Sequence, residues 1–388
     1  MGPHSDTRSD DSGGVGEVEV TFRDADLVSN VVAALDKAVE PGFPYRLMHV
    51  CGSHEHTISR WGLRSLLPEG LEVIAGPGCP VCVCPPHEVG EAIELARRGA
   101  IVATFGDMLN LPTNFGSLAE ANASGGDVRV VYSPLDAVAL AARNPEREVV
   151  LFAVGFETTA APVATALGSA NLPDNFSVLV SHRSTPPAME LLLGIGDICV
   201  DGFIAPGHVS AITGAEAWQR FPDAYAMPVV VAGFEPEDVL LAMLLLVEQI
   251  NRGEATLENE YSRVVPKLMS SPAVAAIDAV FEVSSAWWRG IGRIPRSGLA
   301  LRRELGSRDA RERFDVHFEA EQNDLPPGCS CHLVMLGKVH PPACALYGRK
   351  CTPSSPHGPC MVSQEGTCFI WYTYESEELP ATTQGDAS

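Results

Sequence analysis

The chain has 388 residues, 46% of them apolar and 20% charged, which is enough to bury a sizeable core and too apolar for a disordered chain. Its 27 basic and 49 acidic residues give a net charge of −22. That balance argues against nucleic acid and against anionic lipid as partners, because both need clustered Lys and Arg.

Residues 1–24 begin MGPHSDTRSDDSGGVGE, polar, acidic and Gly-containing, and read as a disordered tail. With neither a basic start nor an apolar stretch, the segment is not expected to be a signal peptide. From there the pattern alternates. Short apolar runs read as strands at 47–50, 72–76, 100–106, 128–132, 149–157, 176–181, 202–207 and 229–234. Amphipathic runs at 87–98, 134–143 and 236–250 read as helices between them. Buried strands separated by helices predict βαβ units and parallel sheets. Val154–Glu157 (VGFE) and Ala232–Glu235 (AGFE) form a faint internal echo, each following a strand and opening a helix. The expected division is a first α/β domain at 25–131, a second at 132–305, a Pro- and Cys-rich domain at 306–375 and a second acidic tail at 376–388. The most apolar run, Val239–Val247, is far short of the ~20 residues a membrane-spanning helix needs. The chain is therefore expected in the cytoplasm, where its eleven cysteines read as metal ligands or redox groups rather than a disulfide framework.

Ten of the eleven cysteines fall into two groups, and Cys199 stands alone between them. Near the first strand stand Cys51-Gly52-Ser53-His54-Glu55-His56 and Gly76-Pro77-Gly78-Cys79-Pro80-Val81-Cys82. Cys79-x-x-Cys82 brings two sulfurs within reach of one disulfide or one metal. The flanking Pro and Gly residues predict a tight turn rather than a helix, with Gly76 and Gly78 allowing close backbone approach. Three readings remain open for this group: inert buried thiols, a structural zinc site of Cys79, Cys82, Cys84 and His87, or a soft-ligand iron or redox site. His54 and His56 read as hydrogen-bond donors or proton carriers beside it. Cys51 stands alone at a strand's carboxyl end, where α/β sheets place ligands.

The second group runs Cys329, Cys331, Cys344, Cys351, Cys360 and Cys368 among seven prolines. Such a segment is not expected to build regular structure or a core of its own, so an inorganic centre is expected to hold it together. Four thiolates suit a [4Fe–4S] cluster; the uneven spacings suit zinc modules poorly.

Together with Arg64–Pro68, Gly155–Thr159, Pro206–His208 and Cys351-Thr352-Pro353, these segments resemble the HypD family of [NiFe]-hydrogenase maturation factors. The resemblance implies two Rossmann-like α/β domains plus an iron–sulfur domain, and a redox-active scaffold rather than a conventional turnover enzyme. It implies assembly of an Fe(CN)₂CO group with a HypC-type partner, cyanide arriving from a HypE-type carrier. By resemblance Cys51 holds that iron, with Cys79 and Cys82 as a redox pair able to contact metal. Cys329, Cys344, Cys351 and Cys368 hold the [4Fe–4S] cluster, beside a Cys331/Cys360 dithiol. Alone, the chain is expected to be a monomer. The family's usual motif is CGGHTH, so Ser53 and Glu55 are departures, and Glu55 is expected to place a negative charge beside the iron. Cys84 is a third thiol after the Cys79/Cys82 pair. The rival readings are an iron–sulfur thiol–disulfide oxidoreductase acting on a partner protein and a zinc-stapled α/β binding protein. No P-loop pattern is present.

Overall fold

The computed structural model describes residues 25–196, 198–265, 272–321 and 324–375. Both acidic tails lie outside the described residues. Among the described residues the strands are β1 (Tyr45–His49), β2 (Leu71–Ala75), β3 (Ile101–Thr104), β4 (Asp127–Val130), β5 (Val149–Gly155), β6 (Phe176–His182), β7 (Gly202–Pro206), β8 (Val229–Ala232), β9 (Leu257–Asn259), β10 (Phe281–Trp288) and β11 (Gly292–Leu301). They make a five-stranded sheet ordered β2-β1-β7-β8-β9 and a four-stranded sheet ordered β4-β3-β5-β6, both parallel throughout. The hairpin β10–β11 is antiparallel and meets the second sheet through a bridge from Arg183 to Gly298.

The expected α/β class with parallel sheets and a Cys-rich C-terminal segment is what the chain adopts. Every residue of β5 and β6 is buried, as strands covered on both faces require. The helix Pro236–Arg252 shows why the covering layers form. Val239, Leu240, Met243, Leu246 and Val247 recur at helical spacing and pack against Ile204 and Val230 of the first sheet. Gly253, at φ 64°, ends that helix in a left-handed turn open to glycine at little cost.

The sheets partition the chain differently from the expected boundary at 131/132. β3 and β4 lie before it and β5 and β6 after it, yet all four share one sheet. β1 and β2 instead pair across to β7, from the other half of the chain. Three local expectations also change. Pro80–Val83 is a single helical turn, because Pro80 at its first position already has the helical φ and needs no N–H partner. Gly52–Arg60 is a helix, leaving only Cys51 extended at φ −147° and ψ 129°. The C-terminal segment contains the short helices Cys331–Met335 and Thr367–Tyr374, the second lying wholly after the last proline of the array.

Candidate metal centre

β1 is an interior strand of the first sheet, between β2 and β7, and delivers Cys51 to its carboxyl end, where Cys51 caps the helix Gly52–Arg60. The Ser53 hydroxyl and the backbone N–H groups of Ser53 and His54 point at the Cys51 sulfur and favour its thiolate. Burial and the Glu365 carboxylate outweigh them and push the thiol up to about 11.

The two glycines of the Gly76–Cys82 loop are what bring a second thiol pair to this point. A Cβ on Gly76 would stand 2.7 Å from Val50 Cγ1 and 3.1 Å from the His49 carbonyl oxygen. A Cβ on Gly78 would collide with the Cys51 backbone. The Gly76 N–H bonds the His49 carbonyl at 2.7 Å, continuing the β1–β2 pairing into the loop. Cys79 and Cys82 are joined by a disulfide. One small cavity is lined by Cys51, Cys79, Cys82, Cys360, His49 and Glu365. Thiols of both sequence groups therefore meet at one strand end.

The other residues of the first motif turn elsewhere. His54 donates from Nε2 to the Gly233 carbonyl at 2.9 Å and stacks on Phe234, which also stacks on His208. Burial and the neighbouring His49 pull its pKa down to about 3, so it is neutral at physiological pH. His56 bonds the Tyr374 hydroxyl at 3.1 Å. Neither histidine lines the cavity. Glu55, expected beside the iron, is fully buried and its charge is spoken for: it accepts from His49 Nε2, from Arg64 Nη2 at 2.8 and 3.0 Å, and from Trp371 Nε1. Burial pushes its carboxyl up, but Arg64 and His49 win and hold it well below the usual range. Cys84 faces Ser181 Oγ at 3.6 Å, and burial and Glu88 push its thiol up to about 12. With Cys79 bonded to Cys82 and Cys84 turned away, the four-ligand zinc site is not assembled among the described residues. Gly155–Thr159 is occupied structurally too: Glu157 bonds the Ser184 hydroxyl at 2.8 Å and the Thr185 N–H at 2.9 Å, fastening the helix Thr185–Ile195.

In the C-terminal group the sulfurs of Cys331, Cys360 and Cys368 lie within 4.8 Å of one another, all buried. Cys329 Sγ is 3.1 Å from Cys331 Sγ. Gly358 leaves room for both, since a Cβ there would stand 2.5 Å from one sulfur and 2.7 Å from the other. Contacts from the Cys331 and Cys368 thiols hold Cys360 well below the usual thiol range, while contacts from Cys331 and Cys360 raise Cys368. Cys351 Sγ accepts the His357 N–H at 3.4 Å, and Cys344 Sγ faces the Gly328 carbonyl at 3.9 Å. The close triad thus joins Cys368 of the expected cluster ligands to both members of the expected dithiol. A dense set of buried, soft sulfur donors fits iron. Arg289 fits it as well. Its guanidinium is buried near Cys329 and Cys331, and its Nη1 has no hydrogen-bond partner among the described residues, so it offers a positive charge toward an anionic sulfur centre.

Three cavity or cluster residues escaped the sequence reading. His49 shares a strand face with Cys51 at period two, a signal that was present. Glu365 sits between Cys360 and Cys368 and is raised by burial and Asp107. Arg289 arrives from the β10–β11 turn, with no local motif to mark it.

The family model described as "HypD: Hydrogenase formation hypA family" matches residues 26–375. The chain is 43% identical over 364 residues to hydrogenase maturation factor HypD2 of Bradyrhizobium diazoefficiens, covering 91% of this chain and 95% of that protein. It is 42% identical over 364 residues to HypD of Cupriavidus necator, covering 91% and 96%. To HypD of Azotobacter vinelandii it is 43% identical over 363 residues, covering 91% and 95%. A match of this extent, together with thiols of both motifs gathered at one strand end, settles the family: the chain belongs to the HypD family of hydrogenase maturation factors.

Proposed function

We propose that this chain is a redox-active scaffold on which the Fe(CN)₂CO group of a [NiFe]-hydrogenase is assembled. The observation that carries the reading is the single cavity lined by Cys51, the Cys79–Cys82 disulfide and Cys360. Iron is the cargo, held by the Cys51 thiolate at a strand end with an incomplete protein shell, which leaves positions for foreign ligands and for a HypC-type partner's thiolate. Cyanide arrives covalently on a HypE-type carrier. Ser53 and the helix amides steady the Cys51 sulfur, and Glu365 stands beside it.

Cys329, Cys344, Cys351 and Cys368 are the residues that would hold a [4Fe–4S] cluster, with Cys331 and Cys360 as the adjoining dithiol. When bound, such a cluster supplies one-electron chemistry near the thiols. Among the described residues no helix is long and apolar enough to cross a membrane, and the site is read as working in the cytoplasm.

The test is anaerobic co-purification with a HypC-type partner, followed by infrared spectroscopy. Bands for iron-bound CN and CO are expected in the native complex and not in Cys51→Ala, with the fold and C-terminal iron unchanged. Bands that survive in the variant place the iron elsewhere. A second reading, an iron–sulfur thiol–disulfide oxidoreductase, is favoured by the Cys79–Cys82 disulfide. That reading expects no such bands in the native complex and stoichiometric reduction of a partner's disulfide.

A further inference from the structure

Glu55 belongs to the Cys51 motif by sequence, yet its carboxylate points away from the cavity and into the contact between two helices. One is Gly52–Arg60, capped by Cys51; the other is Thr367–Tyr374, which carries Cys368. From the second helix Trp371 donates its indole N–H to Glu55 Oε1. Trp371 stands three residues after Cys368, so the two share a helix face. Arg64 closes the arrangement. It pairs with Glu55 at 2.8 Å and with Glu375 at 2.6 Å, and its guanidinium lies over the Trp371 ring at 4.8 Å. His49, a wall of the cavity, is held to the same carboxylate. The contacts of Glu55 therefore tie the helix that Cys51 caps to strand β1 through His49, to Arg64 beyond its own end, and to the Cys368 helix through Trp371.

We propose that Glu55 is a positioning residue that makes the geometry of the Cys51 loop conditional on the folded state of the C-terminal cysteine segment. The inference rests on the reading of that segment as an iron site. The segment packs Val334, Met335, Met361 and Cys368 into the shared core, and its clustered buried sulfurs couple the order of that packing to a bound metal. Without iron the helix Thr367–Tyr374 loosens, and Trp371 and Glu375 leave Glu55 and Arg64. The Cys51 loop then opens. With iron the latch closes and the Cys51 loop is preorganised. The scaffold thus becomes competent for its cargo only after its resident metal is in place.

The experiment measures the rate at which iodoacetamide alkylates Cys51 in the full chain, read by peptide mass spectrometry. Protein as purified anaerobically is compared with protein stripped of iron by ferricyanide and EDTA. A hydrogen bond to a charged group shifts a local opening equilibrium about tenfold. Iron removal is therefore expected to speed labelling of the native chain by about that factor. In Glu55→Gln labelling is fast before stripping and changes little after it. Trp371→Phe, which keeps the aromatic packing and removes only the N–H donor, behaves the same way. The double variant adds little to either single one, as groups acting through one contact should. The proposal is overturned if both single variants keep the native difference between iron-loaded and stripped protein. A chain that binds no iron, yet whose slow Cys51 labelling is accelerated in both variants, retains the latch and sinks the iron reading instead.

Discussion

Gly78 lies against Cys51 so closely that a side chain on it would collide with the Cys51 backbone, and the Cys51-to-Gly52 step is in turn bonded back through Gly52 N–H to the Gly78 carbonyl at 3.4 Å. This contact is how a loop from the end of β2 presents its disulfide to the cysteine at the end of β1. Gly78→Ala should therefore separate the two. The expected loss is about 1–3 kcal/mol of stability, typical of overpacking against backbone that has nowhere to move. Gly194→Ala is the control. That residue sits in the helix Thr185–Ile195 with nothing within 4 Å of its would-be Cβ, and the change should be neutral or slightly stabilising. Thermal unfolding of both variants checks the contrast; equal midpoints would dissolve it.

Cys84 is the thiol whose role the sequence left open, and its surroundings give a definite answer. It follows the Pro80–Val83 turn and packs beside Ser181, near the ion pair of Arg183 and Glu88 at 2.8 Å, and it does not line the cavity. Burial and the Glu88 charge keep it protonated. Cys84→Ala should leave the Cys79–Cys82 disulfide and the iron content unchanged. In the native chain Cys84 should resist iodoacetamide until denaturant is added. A Cys84 that labels at the rate of exposed Cys199 in folded protein would contradict this placement.

How much of this was legible follows from what each element buries. Strands such as β3, β5, β6, β7 and β8 announced themselves because strands covered on both faces are continuous apolar runs. The hairpin β10–β11 did not. Its strands are half exposed, interrupted by Ser284-Ser285 and Pro295, and shifted in register between Ser284 and Ala286. The helix Gly52–Arg60 was hidden behind residues of modest helix propensity, and only tertiary packing against the Thr367–Tyr374 helix accounts for it. Motif cysteines were visible individually, and their meeting was not. β1 and β7 pair from opposite halves of the chain, and no local pattern encodes such a pairing. Glu55 is the sharpest case. Sequence proximity put its charge at the metal, whereas the structure sets it behind the cavity wall, bonded to His49 and paired with Arg64.

The buried His54 sets a pH dependence with a definite sign. An unfolded chain protonates this histidine near 6.5, whereas burial delays protonation in the folded chain to about 3. Between those values the unfolded state holds more protons, so stability falls as pH drops through that window. His54→Gln keeps an amide able to reach the Gly233 carbonyl and removes the titration. Its denaturant midpoint should depend less steeply on pH between about 3 and 6.5 than that of the native chain. Parallel pH profiles for the two proteins would mean that His54 is not held neutral.

The six C-terminal cysteines carry the prediction with the clearest alternatives. Cys331, Cys360 and Cys368 form the tight triad, with Cys329 touching Cys331, while Cys344 and Cys351 contact backbone groups further out. Cys360 also lines the cavity beside the Cys79–Cys82 disulfide. A thiol in that place is positioned for exchange with the disulfide, and binding it permanently to metal would remove it from that use. On the proposed function, Cys331 and Cys360 are the dithiol and the metal goes to Cys329, Cys344, Cys351 and Cys368, whereas the close triad offers Cys331, Cys360 and Cys368 as the rival ligand set. Anaerobically purified protein should then be brown, with about four irons per chain. Cys344→Ser and Cys368→Ser should lose most of that iron, and the backbone amides of the Thr367–Tyr374 helix should lose their protection from hydrogen exchange along with it, since metal binding and folding are coupled there. Cys360→Ser should keep both the iron and the protection, and fail only where the Cys79–Cys82 pair must be reduced. If Cys360→Ser loses as much iron as Cys344→Ser, the triad itself is the ligand set. Colourless protein with stoichiometric zinc would discard the iron–sulfur assignment altogether.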